Sequence, residues 1–555
     1  MAVLFNDGIR AGASGADADP GEPIEVANSL RFNSGDSAYL SWTPSSAGNR
    51  TTWSWSGWVK RTNPGTTQFF FSGGPDGSND TNQITVFFES DDQLRINSGN
   101  SVFLETTQVF RDPTAWYHIV VAVNTGNSTA NDRIKLYVNG SQVEDFDTRN
   151  NPGENDNTGI NAAVEHRLGK ATGSSNSGDA NSFNGYLADV HMVDGSALDA
   201  SSFGLTHETT DQWVPKEFSG SHGTNGFHLK FDNTSDLGED SSGNDNDFTA
   251  NNFSTSAGAG NDVLADSPST YDDEGNGVGN YATLNPLTSN GLTLSNGNLL
   301  GTGGGSAQHY CSGSTMYMSS DKFYWEATQT LISSTYSAIG MAREDYPFPN
   351  GIPGYDTDKA FSMYSTAGAY YYDSTGTSAY GSSWTTGDVI GCAWDNGSVY
   401  FYKNGSILNS GTAILTGLTG NWTPVFHNYN NGSWTVNFGQ RPFAYTNAGV
   451  DRPAADFLAL NSFNLDDTEI LSGEYEGNAA ADGPIVWMNA TPATLKIGTS
   501  DPPTSLVTFD PDDVDPLAGG FKIRNSSTNN GSGTTYYWLA TSDKAFKYAN
   551  AQTNE

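Results

Sequence analysis

Side chains able to do chemistry are sparse in this sequence, and their spacing rarely suits a reaction. Its 555 residues include 2 cysteines and 8 histidines. Cys311 and Cys392 are too few for a disulfide framework or a cysteine zinc site. They read as one bridge or as two buried small apolar residues. The histidines are scattered, with no HExxH and no paired spacing. Glycoside hydrolysis needs two carboxylates across a cleft. Glu89-Ser-Asp-Asp92 and Glu144-Asp-Phe-Asp147 are spaced for turns instead and read as solvated turn carboxylates. A nucleophilic serine needs a Gly-x-Ser-x-Gly turn between strand and helix. The Ser/Gly-rich stretches around Gly77 and Gly173 have no helix after them, and Gly301-Thr-Gly-Gly-Gly305 reads as a flexible turn. The chain is therefore expected not to be an enzyme.

Two kinds of binding chemistry are better supplied. Hard cations need several oxygen ligands from one folded loop. Asp240, Asp245 and Asp247, with Asn244, offer them around Gly243, so calcium is the cofactor to expect there. No Glu stands at the twelfth position of an EF-hand, and a hydrogen-bonded Asx turn is the competing reading. Aromatic rings stack on sugar C–H faces and anchor protein interfaces. Tyr346, Phe348, Tyr355, Tyr370, Tyr372, Tyr380 and Trp384 fall in expected loops or short edge strands and are the candidate glycan- or partner-binding residues. The competing reading makes Tyr370-Tyr-Tyr372 a strand with alternate residues in a core.

The elements that must carry these groups are strands. Aromatics are 12% of the chain and Gly numbers 63, a composition of many short strands and turns, not of disorder. Trp53 and Trp55 alternate with Thr52, Ser54 and Ser56, the period of a half-buried strand. Trp116–Val123 is nearly continuous and suits a central strand, and Ile134, Leu136 and Val138 lead into Asn139-Gly140, a tight-hairpin signal. Further strands are expected at Lys322–Ala327, Ser337–Ala342, Asp388–Asp395, Ser398–Lys403 and Trp434–Phe438, and later at 484–488, 494–497, 505–509, 520–524 and 535–540. One short helix is expected at Asp456–Leu460. The fold class is all-β: two consecutive β-sandwiches and a small C-terminal β module. The organisation reads as an arm over 1–25, a first sandwich over 26–232 and a polar linker over 233–280. A second sandwich follows over 281–445, then an acidic linker over 446–483 and the module over 484–555.

Lys and Arg number 25 against 62 Asp and Glu, a formal net charge of −37. Phosphate backbones and anionic membranes require the opposite sign, so neither is an expected partner. No apolar run approaches the ~20 residues of a membrane helix. No basic region followed by an apolar stretch opens the chain, so no secretory signal is expected.

The first sandwich resembles the laminin-G-like, concanavalin A-type jelly roll. The carriers are Ser29-Leu-Arg-Phe32, Trp53-Ser-Trp-Ser-Gly-Trp-Val-Lys60, Trp116-Tyr-His-Ile-Val-Val-Ala-Val123, Ile134-Lys-Leu-Tyr-Val-Asn-Gly140 and Phe183-Asn-Gly-Tyr-Leu-Ala-Asp-Val190, in order. Laminarinase-like enzymes of that architecture carry Glu-x-Asp-x-Glu on one strand, and this sequence has no such triplet. The second sandwich resembles a SPRY domain through Phe323-Tyr-Trp-Glu326, Ala338-Ile-Gly340, Gly387-Asp-Val-Ile-Gly-Cys-Ala-Trp-Asp395, Val399-Tyr-Phe-Tyr-Lys-Asn-Gly405 and Val436-Asn-Phe-Gly439. The two in this order, joined by Asp240–Phe253, resemble virion structural proteins of tailed bacteriophages, especially marine ones. That resemblance implies a tail fibre, spike or capsid-surface fibre on the virion exterior, made in the host cytoplasm. It implies an arm docked to other virion proteins, a host-surface glycan or receptor as partner, and a homo-oligomer such as a trimer. A capsid decoration protein without a receptor role, or a glycan-degrading depolymerase on the jelly roll, are the alternatives.

Overall fold

The computed structural model describes residues 23–74, 82–172, 181–207, 212–268, 279–305, 308–333, 336–349, 351–355, 357–366, 368–373, 375–445 and 457–465. It also describes the backbone of five strands between 486 and 523. The described residues form strands and 3-10 turns with no α-helix.

The first sandwich has two antiparallel sheets of eight strands each. In one, the strand Thr52–Arg61 lies between Trp116–Asn124 and Gly185–Asp194. In the other, the strands Gln68–Gly73, Ile84–Phe88, Gln93–Ser98 and Ser101–Val109 follow one another as a meander. Alternation sends Trp53, Trp55, Ile119, Val121, Ile134 and Leu136 inward to meet Phe70, Phe71, Val86, Phe88, Leu94 and Ile96, all buried. Asn139 (φ 47°) and Gly140 (φ 87°) join Ile134–Val138 to Ser141–Gln142. Positive φ at both centres is what an Asn-Gly hairpin turn requires.

The second sandwich pairs a seven-stranded with a six-stranded antiparallel sheet. Lys322–Leu331 lies between Ser433–Asn437 and Val389–Asp395 in the first. Ala338–Arg343 lies between Trp422–Tyr429 and Ala360–Tyr364 in the second. The hairpin device recurs at Asn396-Gly397 and Asn404-Gly405, with φ of 47°, 81°, 49° and 79°. After it come a three-stranded and a two-stranded sheet between Val486 and Ile523. The expected strand at 535–540 lies outside the described residues.

The segments read as linkers take part in the sandwiches. Within 233–280, Thr249–Asn251 pairs with Tyr39–Trp42, and Val263–Leu264 pairs with Ser29–Phe32. Strands of two or three residues are too short to show a period in the sequence. In the acidic segment, the expected helix at Asp456–Leu460 does not form over its described residues. Phe457–Leu460 is not helical, Leu458 bridges Phe323, and Leu460 is buried. The two sandwiches share one apolar cluster: Trp58, Trp116, Tyr186 and Leu264 pack with Leu284, Leu299, Phe323 and Trp325. Inside this joint Lys60 Nζ lies 2.7 Å from Asp266 Oδ2 and 2.7 Å from Asn280 Oδ1, and Trp116 Nε1 donates to Asp266 Oδ1 at 3.1 Å.

Candidate functional site

The outer face of the six-stranded sheet carries a row of rings. Its inner face supplies Ile339, Met341, Phe361, Met363 and Phe426 to the core, so period-two alternation turns the residues between them outward. Tyr371 stacks on Tyr364 at 5.1 Å and 19°, and Tyr355 meets Tyr371 edge-on at 5.2 Å. Along the same face Tyr336 lies 5.7 Å from Tyr429, and His309 lies 5.0 Å from Tyr429. Tyr355 is 52% exposed and Tyr336 43%, values few large apolar side chains reach among the described residues. His309 Nδ1 lies 3.0 Å from His427 Nε2. Burial pushes His309 down, and burial together with the His309 charge pushes His427 down to about 3, so both rings are neutral at pH 7. Burial and the neighbouring Tyr364 push the Tyr371 hydroxyl up, so it stays protonated. The band is a neutral surface of ring faces and hydroxyls.

Of the seven aromatics singled out from the sequence, only Tyr355 is exposed. Tyr346 and Phe348 are buried with Cys311 and Val425, their rings 5.1 Å apart. Tyr380 is buried, and its hydroxyl donates to the Thr412 carbonyl at 2.7 Å. Trp384 is buried, and its Nε1 donates to Gln329 Oε1 at 3.1 Å. Tyr370 and Tyr372 pack against the core, and the residue between them faces out. Burial therefore corrects Tyr346, Phe348, Tyr380 and Trp384 to packing residues, while Tyr370 and Tyr372 are half-buried. The alternation of Tyr370-Tyr-Tyr372 was the signal for Tyr371. Nothing local marked Tyr336 or Tyr429, which meet only through strand pairing.

The calcium candidates do not converge as ligands. Asp240 is buried; its Oδ1 accepts from the N–H groups of His228 and Ser242 at 2.8 and 2.9 Å. Its Oδ2 accepts from Ser242 Oγ and Asn246 N at 2.8 and 3.0 Å. Asp247 Oδ1 accepts from Asp240 N at 2.9 Å, and Asp245 is exposed with φ 58°. The loop uses Asp240 to satisfy its own backbone, which is the Asx-turn reading.

Other acidic groups serve packing. Asp92, read as solvated, is buried between Arg61 at 2.7 Å and Arg111 at 3.0 Å. Arg95 holds both Glu89 and Glu105. Burial pushes Glu89 up, but hydrogen bonds from Thr67 and Ser90 and the Arg95 charge outweigh it and hold the carboxyl below the usual range. Glu144 and Asp147 are exposed, as expected, but Asp147 lies in the strand Phe146–Arg149 and not in a turn. Cys311 and Cys392 are free and buried, and burial pushes the Cys311 thiol up to about 12.

Histidines missed as scattered come together. Ser56 Oγ lies 2.8 Å from His118 Nε2, and Trp213 Nε1 donates to His118 Nδ1 at 2.9 Å. That donation leaves the proton on Nε2, so His118 donates to the serine, the wrong direction for a general base. His191, His222 and His228 also converge, although 31 residues separate the first two. Sequence spacing could not show it, because register brings His228 opposite His191.

Residues 33–202 match the family model of the concanavalin A-like lectin/glucanases superfamily, and residues 322–441 match that of the SPRY domain. No curated protein matches the chain. Among solved structures, a human SPRY domain is 16% identical, with 27% of this chain and 95% of that one covered and a TM-score of 0.24. The SPRY domain of human HERC1 is 17% identical, covering 28% and 96%, with a TM-score of 0.23. The SAP-like pentraxin of Limulus polyphemus is 17% identical, covering 32% and 79%, with a TM-score of 0.24. Among the described residues, no helix is long and apolar enough to cross a membrane. Both domain types are consistent with carbohydrate or protein binding, and the chain carries a concanavalin A-like jelly roll followed by a SPRY domain.

Proposed function

We propose that this protein is a non-enzymatic exterior virion protein of a tailed bacteriophage, a tail fibre, spike or capsid-surface fibre, that adheres to host-surface glycan. The observation that carries the adhesive part is the outward row of Tyr355, Tyr371, Tyr364, Tyr336 and Tyr429 along the six-stranded sheet and its flanking turns. Sugars present C–H faces that stack on such rings and hydroxyls that pair with phenols. The neutral band also suits a partner approached by a chain of net charge −37, because it adds no further repulsion. The non-enzymatic part is supported by the Glu89–Arg95–Glu105 clamp and by the direction of the Ser56–His118 bond. The exterior location rests on the ordered pair of sandwiches. The arm then docks to other virion proteins, in a homo-oligomer.

The test has two arms. The full chain on a glycan array should retain a defined set of sugars, and Tyr355→Ala/Tyr371→Ala should lose them while the fold is kept. A density map of the purified particle should place the chain on its outside. A silent array with the chain still on the particle would leave a decoration protein. Absence from the particle would overturn the virion reading.

A further inference from the structure

The outer face of the jelly roll holds a second polar centre, separate from the aromatic band. Strand Gly185–Asp194 pairs Ala188 with Trp58 and His191 with Ser56, so Gly57 alone faces Asp189 and Val190. This is a β-bulge, and Asp189 sits in it with φ 47°. Bulges re-aim side chains, and their left-handed position favours glycine. Here it lets Val190 join the core and leaves Asp189 beside His191 on the outer face. Strand Phe227–Leu229 brings His228 opposite His191. The loop before it is tied down by Asp194 N donating to His222 O at 2.8 Å, and it carries His222 over the same face.

The hydrogen bonds set the ring nitrogens. Asp189 Oδ1 lies 3.2 Å from His191 Nε2 and 2.7 Å from His228 Nε2. A carboxylate only accepts, so both rings carry a proton on Nε2, and Nδ1 is the nitrogen left for a metal. His191 Nδ1 lies 3.2 Å from His222 Nε2. Two nitrogens bound to one tetrahedral zinc are about 3.3 Å apart, given Zn–N bonds of about 2.0–2.1 Å. One ring nitrogen from each histidine lies within 4.8 Å of the others. Phe203 and Phe218 wall the group, their centroids 5.4 and 5.9 Å from that of His191. The parallel rings of His191 and His228, 3.8 Å apart at 20°, must tilt for both lone pairs to meet one ion.

We propose that His191, His222 and His228 bind a first-row divalent transition metal of the zinc class, with Asp189 orienting two of the three ligands. A carboxylate behind a ligating histidine fixes its tautomer and raises its basicity. Three nitrogen donors select against calcium, which takes oxygen. The ion fastens the His222 loop to the sheet, and a water or a ligand atom fills its fourth position beside half-buried His222. The proposal is independent of the virion reading.

The test titrates full-length, chelator-treated protein with Zn²⁺ in a calorimeter and with Co²⁺ in a visible spectrometer. About one equivalent should bind, with the intense visible bands of a tetrahedral cobalt site. His222→Ala changes a partly exposed loop residue and should keep the circular dichroism of the parent while losing at least about tenfold in affinity. Asp189→Asn should lose about 10–100-fold. His309→Ala, on the other sandwich, should bind as the parent does. Less than about a tenth of an equivalent bound by the parent, or unchanged affinity in His222→Ala, overturns the proposal.

Discussion

At the scale of single residues, the joint between the sandwiches encloses a buried ion pair. Lys60 and Asp266 are both inaccessible to solvent. Burial pushes the Asp266 carboxyl up, and the Lys60 charge and hydrogen bond oppose that shift. Breaking such a pair strands a charge, whereas replacing both partners with apolar groups is close to neutral. Asp266→Ala should therefore cost about 3–5 kcal/mol in urea unfolding, and Lys60→Met/Asp266→Leu should recover most of it. A single variant as stable as the parent would show that Lys60 finds another partner. In the aromatic band each ring contributes about 0.5–1.5 kcal/mol of stacking. Tyr355→Ala or Tyr371→Ala should each weaken glycan binding by roughly twofold to tenfold, read by calorimetry against an array-selected sugar. Tyr380→Phe should not affect binding, because its hydroxyl is spent on Thr412.

At the scale of elements, Asn-Gly turns set the register of three hairpins. Gly140 has φ 87°, and a β-carbon there would lie 2.5 Å from the Trp213 ring. Gly140→Ala should thus destabilise the first sandwich by more than about 1 kcal/mol through backbone strain and the clash. Gly65 has φ 79° with open space around it, so Gly65→Ala meets backbone strain alone. A smaller loss of melting temperature is expected there. The turn at Asn139-Gly140 was legible because Asn-Gly at the end of an alternating strand has one main structural use. The aromatic band was only partly legible: Tyr370-Tyr-Tyr372 announces a strand, but not which face is buried. The edge strands Thr249–Asn251 and Val263–Leu264 were not legible, since two or three residues carry no period.

At the scale of the whole molecule, the shared cluster from Trp58 to Trp325 couples the sandwiches. The two should unfold in one calorimetric transition. A fragment of 281–445 alone should melt lower, because the face that meets Trp58, Trp116 and Tyr186 is then bare. Two separate transitions in the full chain would contradict the coupling. Buried histidines set the acid limit. Burial holds His166 down to about 4, and burial with the His309 charge holds His427 down to about 3. In the unfolded chain both protonate near pH 6.5. The unfolded state therefore gains protons first, and stability present above about pH 6.5 is lost as pH falls toward 4. Each histidine should contribute about 1.4 kcal/mol per pH unit in that window. His166→Gln should flatten the denaturant-midpoint profile between pH 6 and 4.

The sequence by itself determined the all-β class, the order of the two sandwiches, most central strands and the hairpin turns. Each of these follows from period, turn chemistry or composition, which are local. Tertiary structure alone decided which aromatics face outward, that supposed linkers complete the sheets, and that Asp240 serves its own loop. It alone brought His191, His222 and His228 onto Asp189. The physical reason is the same in each case: strand register and the side of the sheet that finds a core are set by partners far away in the chain.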